Sequence, residues 1–554
     1  MRILLIFLAT ALFAEPDLIL HNGKVVTVDA KFSLQQAVAI EAGRISAVGA
    51  NADVLKLRGA KTKVIDLKGK TVLPGLIDSH VHALGAGLSE YRGELPPLDS
   101  FAAVQSYIRT QAAKTPKGQW IQVPRTFPTR LKELAMPTRE VLDAASPDHP
   151  VMFDASYLWV LNSAALKKSG VTRSTPNPPG GEIVHDANGE PNGILRNASS
   201  LVKGLSENAA FTEAEKLDAL EKMLLRYHEA GLTAVSDRAV NDEEIALYRK
   251  LREQNRLPVR AVLTWRINAA RPTDQVVGEI NAKPYTTGTG DEWLKFGAFK
   301  VTLDGGMTIG TAYQRQEYGA FGKQLYGQST PDRGQLFIGP EKLFQIMNAA
   351  RMKGWQLTAH SQGGGAIDAL LDAFEKIPNL ETTRTHLMHA SFQSPEAIAR
   401  TAKLKVTADV QAAWMYLDGP ALSKVFPPEV MRYYFPLKSY LNAGVHFAGG
   451  TDHMTGFNKN KGVNPYNPFL SMWIAVTRKT VTGSFVAPEE KISREDALRM
   501  YTIWAAEMQF ADKERGSIEA GKFADLTVID RDYLQCPEDE IRRIEPVMTL
   551  VGGK

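Results

Sequence analysis

TVLPGLIDSHVH, residues 71–82, is an apolar run that ends in Asp78-Ser79-His80-Val81-His82. Its composition predicts a buried strand over 71–78. In an extended chain, side chains two apart point to the same side. The spacing therefore lets the imidazoles of His80 and His82 reach one point just beyond the strand. Seven further runs share this character: LTAVSD (232–237), VRAVLTW (259–265), FGAFKVTLD (296–304), WQLTAH (355–360), RTHLMH (384–389), KVTADVQ (405–411) and VHFAGGTD (445–452). Helical patterns separate them. Leu217, Leu220, Leu224 and Tyr227 form one apolar stripe with Gly231 behind it, and KLFQIMNAARMKG (342–354) closes in the same way at Gly354. Apolar strands alternating with amphipathic helices call for a parallel sheet, and eight such units favour a (β/α)8 TIM barrel, an α/β fold.

In such barrels the active site lies at the C-terminal ends of the strands. The first strand ends in His80 and His82, and the fourth carries Lys300. The fifth ends in His360, the sixth in His389 and the eighth in Asp452. These six residues come from five strands, yet a barrel would bring them to one mouth. Taken singly each has an ordinary structural reading: a packed histidine, a helix N-cap aspartate, an ion-paired lysine. Together, imidazole nitrogen and carboxylate oxygen suit zinc or a similar divalent ion. His386 lies three residues before His389, and strand alternation points it away from that side.

The flanks differ from this body. DLILHNGKVVTV reads as two strands hinged at Asn22-Gly23, a hairpin signal, and QAVAIEAGRISAVG repeats the pattern around Ala42-Gly43. FADLTVID (523–530) and PVMTLVGG (546–553) are β-rich again. The expected organisation is a signal peptide over 1–14, β segments at 15–70 and 515–554, and a barrel over 71–514. The stretch from about 85 to 210, rich in Pro and Gly around TPNPPGGE (175–182), exceeds one βα connection and must hold an inserted subdomain after the first barrel strand.

Composition narrows the functional classes. In 554 residues, Lys+Arg 65 nearly balances Asp+Glu 61, which argues against an electrostatic nucleic-acid binder. The lone cysteine, Cys536, rules out an intrachain disulfide and a cysteine-based zinc cluster. Arg2 followed by ILLIFLATALF and Ala14-Glu15-Pro16 has the layout of a secretory signal peptide, and the run falls short of the ~20 residues a bilayer requires. The expectation is a periplasmic or secreted protein with no stable membrane insertion once residues 1–14 are removed.

PGLIDSHVH (74–82) resembles the first-strand signature of the metal-dependent amidohydrolase superfamily. The tail GSIEAGKFADLTVIDRD (516–532) resembles the same family. Four segments are similar to its amidohydrolase-3 branch, which includes N-substituted formamide deformylase: 137–166, 180–196, 300–312 and 497–506. The resemblance implies that head and tail strands join into one small β-sandwich beside the barrel. It implies that His80, His82, His360 and His389 ligate one or two divalent ions, most often zinc. It further implies that Asp452 contacts metal or solvent and shuttles the proton, and that Lys300 is a carboxylated lysine bridging two metals. The chain departs from the branch at Tyr157, where a histidine is usual, at Gly364 in place of an aspartate, and at Met388 in place of a glutamate. Tyr157, Arg196, Tyr313 and Trp414 are candidate substrate contacts. The implied activity is hydrolysis of a non-peptide C–N bond, in an amide or cyclic amide, of a small-molecule substrate. Hydrolysis of another bond, isomerisation or decarboxylation on the same barrel, and a non-catalytic binding role are the alternatives, since fold alone does not set chemistry. A homo-oligomer is left open.

Overall fold

The computed structural model describes residues 15–205, 210–328 and 332–554. The expected signal peptide, residues 1–14, lies outside them. Eight parallel strands follow one another around a barrel: β1 (Leu76–Val81), β2 (Leu232–Val240), β3 (Arg260–Arg266), β4 (Leu294–Thr302), β5 (Gln356–Ser361), β6 (His386–His389), β7 (Thr407–Val410) and β8 (Phe447–Gly449). Each pairs with the next in sequence. The ring closes between β8 and β1 just past the strand ends. Asp452 N donates to His80 O at 2.7 Å, and Val81 forms a parallel bridge with His453. Closure depends on Gly450, where a Cβ would stand 2.6 Å from His80 Cβ.

The helices are built as their sequences direct. Glu213–Glu229 opens with a reciprocal capping box between Thr212 and Glu215. It buries Leu217, Leu220, Met223, Leu224 and Tyr227 against the barrel. Gly231, at φ +90°, then turns the chain directly into β2.

Two readings of the flanks change. The run 71–78 is two strands, not one. Thr71–Pro74 pairs with the tail strand Leu526–Ile529, while Leu76 onward belongs to the barrel. The break falls at Gly75, where any Cβ would collide with Thr233 at 2.2 Å. Asn22-Gly23 is also not a hairpin. Leu18–His21 pairs with Ala37–Glu41 and Lys63–Asp66, whereas Lys24–Val26 joins a different sheet with Thr71–Pro74. The turn is a corner between sheets: Asn22 has φ +56°, and a Cβ on Gly23 would strike Leu67. The second pattern does form a hairpin, Ala37–Glu41 with Arg44–Gly49, around Ala42-Gly43.

The two flanking sheets face each other across Leu18, Leu20, Val38 and Ile40 on one side and Val25, Val72, Leu526 and Val528 on the other. Head and tail thus make one small sandwich. A buried bidentate pair, Arg260 Nε and Nη2 with Asp525 at 2.8 and 3.1 Å, ties it to β3. The insertion after β1 holds a five-stranded sheet: Ile121–Val123, Val151–Asp154, Leu158–Leu161, Glu182–His185 and Pro191–Arg196. Its loops overhang the C-terminal mouth of the barrel and bring Arg125, Phe127 and Tyr157 to the cavity there.

Candidate active site

The barrel mouth opens into a cavity of about 470 Å3 whose walls include His82, Lys300, Thr302, His360, His389, Trp414 and Asp452. Lys300 and Thr302 face it, as alternation on β4 predicts, while Phe299 packs outward on Trp265. Three donors converge most closely: a ligand atom of His80, one of His389 and one of Asp452 lie within 4.8 Å of one another. His82 joins them, its Nε2 standing 3.2 Å from Asp452 Oδ1, while His80 Nε2 stands 3.3 Å from the same oxygen. The His360 ring centroid is 4.5 Å from that of His389.

Strand geometry alone does not place these groups. His389 and Asp452 have φ of +65° and +54°, left-handed values that cost energy in a non-glycine residue and concentrate at functional sites. At β6 the departure from extended backbone turns His389 into the mouth although His386 already points inward. His386 therefore lies inside the barrel rather than away from it. Its Nε2 is 3.0 Å from Arg238 Nη1, and Arg238 also reaches Ser79 O, Thr264 Oγ1 and Asp409. Alternation predicts sides only while the strand stays regular.

Each inner imidazole is held from behind by its Nδ1. That of His80 faces Asp409 Oδ2 at 3.1 Å, that of His360 faces Asp304 Oδ1 at 2.9 Å, and that of His389 faces Gln411 Oε1 at 2.8 Å. An acceptor on Nδ1 places the proton there and leaves Nε2 with a free lone pair. Among the described residues the Nε2 of His80 is buried without a hydrogen-bond partner, which suits a cation-binding atom. Burial, followed by cationic neighbours, lowers the pKa of His360 and of His389 to about 3, and burial drives His80 well below its ordinary value. All three are neutral at physiological pH and available as ligands. Burial alone would raise Asp452, but the hydrogen bond from His82 opposes it, and the carboxyl lies below the usual carboxylate range. Its Oδ2 also accepts from Trp414 Nε1 at 3.1 Å. Burial, with Arg238 and Arg266 nearby, lowers Lys300 to about 7.

Of the four candidate substrate contacts, Tyr157 and Trp414 line the cavity, Tyr157 with its ring 5.3 Å from that of His360. Arg196 and Tyr313 lie outside the lining. Arg196 is buried in the insertion, bound to Glu182 and Asp332 at 3.1 and 3.4 Å. Tyr313 stacks under Arg333, and its N–H donates to Asp304. Both belong to segments near the mouth, but Arg196 Nη1 and the Tyr313 ring are turned to these local partners rather than to the cavity. Sequence reasoning overlooked Asp304, Asp409 and Gln411, which orient the histidines. A signal existed for two of them: Asp409 and Gln411 are polar residues two apart on the otherwise apolar run VTADVQ, the same spacing as His80 and His82.

The profile of the Amidohydrolase family matches residues 63–554. The chain belongs to the amidohydrolase family. It is 30% identical to N-substituted formamide deformylase of Arthrobacter pascens over 97% of both chains, and 27% identical to the putative amidohydrolase YtcJ of Bacillus subtilis (strain 168) over 96% of this chain and 98% of that one. In fold it is similar to an uncharacterized metal-dependent hydrolase from Pyrococcus horikoshii OT3, with a TM-score of 0.68, 22% identity, and coverage of 94% of this chain and 99% of that one. This amidohydrolase is thus a metal-dependent hydrolase built on a TIM barrel, with the His80, His389 and Asp452 cluster at its mouth. Among the described residues no helix is long and apolar enough to cross a membrane.

Proposed function

We propose that this amidohydrolase cleaves a non-peptide C–N bond, in an amide or cyclic amide of a small molecule. The observation that carries the reading is the convergence of neutral, buried imidazoles and Asp452 beneath a cavity of small-molecule size. The formamide deformylase relative, matched along nearly its whole length, supports the C–N bond as the target. His80, His82, His360, His389 and Asp452 would hold a divalent cation, and their nitrogen and oxygen donors favour zinc. Such a cation, when bound, makes hydroxide available near neutral pH and polarises a carbonyl. Asp452 acts as the base: its Oδ2, steadied by Trp414 Nε1, takes the proton of the attacking water and returns it to the leaving nitrogen. Lys300, neutral above about pH 7, would react with carbon dioxide to form an anionic carbamate and release a proton, adding a ligand for a second cation. Tyr157 and Trp414 would line the substrate's path.

The reading includes export. The periplasmic or secreted protein would lack residues 1–14, and N-terminal sequencing of protein from its native host reads this directly. The catalytic reading is tested by metal analysis of the purified protein and a panel of N-formyl, N-acyl and cyclic amides. One or two divalent ions per chain and turnover of at least one amide class are expected. His80→Ala with His82→Ala should remove metal and turnover together. Undiminished metal in that double variant would refute the assignment.

A further inference from the structure

The charges on the cavity wall are unevenly paired. Arg125, just past the strand Ile121–Val123, has a guanidinium fixed in place. Its Nε and Nη2 both donate to Asp154 Oδ2, at 3.2 and 3.1 Å. Among the described residues its third nitrogen, Nη1, meets only the sulfur of Met454, at 3.3 Å. A thioether is a weak acceptor, so that donor is largely unspent. Arg266 ends β3 and lines the same cavity at its exposed rim. Among the described residues no carboxylate lies within 4.0 Å of its guanidinium. Glu244, on the same wall, feels the Arg266 charge, but its Oε2 accepts the Asn241 N–H at 2.8 Å and caps a helix. Asp452, the other acidic wall residue, is flanked by His80 and His82. Two guanidinium groups therefore offer donors to a space in which, among the described residues, neither wall carboxylate lies within 4.0 Å of Arg266 or of Arg125 Nη1.

We infer that the substrate carries a carboxylate besides its scissile amide, and that Arg125 Nη1 and Arg266 bind it. The substrate class is then an N-acylated amino acid or a similar anionic amide rather than a neutral one. This inference rests on the C–N hydrolase reading. The chemistry is apt on three counts. Guanidinium N–H groups match carboxylate oxygens in geometry and charge. Asp154 pre-orients Arg125, so little ordering remains when the ligand arrives. Arg266 at the rim lies where an approaching anion is steered.

The test uses a matched pair on the metal-loaded protein: N-formyl-L-phenylalanine and N-(2-phenylethyl)formamide, which differ by the carboxylate. The expected kcat/KM favours the anionic substrate by about tenfold or more, the effect of a hydrogen bond to a charged group. Arg266→Ala should erase most of that preference through KM, and Arg266→Lys should restore part of it. Equal use of the two substrates, or an equal loss on both in Arg266→Ala, would overturn the inference. A second measurement needs no turnover: calorimetric binding of 3-phenylpropionate against 3-phenylpropanamide. Tighter binding of the carboxylate that is lost in Arg266→Ala supports the inference, even if neither formamide is hydrolysed, an outcome that would count against C–N cleavage alone. Carboxylate binding that survives Arg266→Ala and disappears on chelation would place the anion on the metal and overturn it.

Discussion

Asp409→Asn is the most informative single change below the barrel mouth. Four donors converge on this carboxylate: His80 Nδ1 at 3.1 Å, Ser79 Oγ at 2.6 Å, Gln411 Nε2 at 3.0 Å and Arg238 Nη2 at 3.3 Å. All are buried, and Asp409 itself is fully enclosed. Asparagine keeps the shape but loses the charge, and one of its two terminal atoms becomes a donor facing donors. Two consequences follow. Arg238, 3% exposed, loses the one carboxylate among the described residues within ion-pair distance of it, and breaking a buried pair from one side costs about 3–5 kcal/mol. His80 loses the acceptor that fixes its tautomer, and loss of such a partner costs about 10- to 100-fold in metal affinity. The assay is competition for zinc against a graded chelator, read alongside denaturant unfolding of the metal-free protein. The metal-free measurement isolates the Arg238 term, and the competition adds the His80 term. Asp409→Asn protein with parental zinc affinity and parental unfolding midpoint would refute the claim that this residue orients the site.

Two further outcomes are expected. In metal-free protein Lys300 titrates near 7 when folded, because of burial, against 10.5 when unfolded. Between those values the unfolded chain holds more protons, so this group makes stability rise with pH and is most costly below about 7. Lys300→Met should therefore exceed the parent by up to about 5 kcal/mol near pH 6, with the advantage shrinking toward pH 10; parallel stability curves for the two proteins would contradict it. The Arg260–Asp525 pair joins the sandwich to β3 with both partners almost fully buried. Asp525→Ala should lower stability by about 3–5 kcal/mol, and an unfolding midpoint equal to the parent's would show that the pair is not a structural joint.

The residues that converge at the barrel mouth were legible because most sit at strand ends, and strand ends are visible in a sequence as apolar runs that stop. His80, His82, His360, His389 and Asp452 each follow or close such a run, Lys300 lies within one, and barrel topology brings the five separated strands to one mouth. The residues that orient them were harder to see. Asp304 lies in a loop whose path depends on its accepting the N–H groups of Gln362, Gly363 and Tyr313. Arg196 and Tyr313 were placed near the cavity by chain position, and only packing shows their side chains turned to other partners.

Local patterning thus determined the class of fold, the eight barrel strands and the histidine and aspartate set, since period and burial are properties of neighbouring residues. Tertiary structure alone decided the rest. Which sheet Lys24–Val26 joins, and where the strand at Gly75 breaks, depend on residues more than forty positions away, Leu67 and Thr233 among them. The direction of His389 depends on a left-handed φ that no periodicity predicts. The pairing of Arg125 with Asp154 over the barrel mouth comes from an insertion folded across it. These are contacts between distant segments, and their energies appear only once the chain has closed on itself.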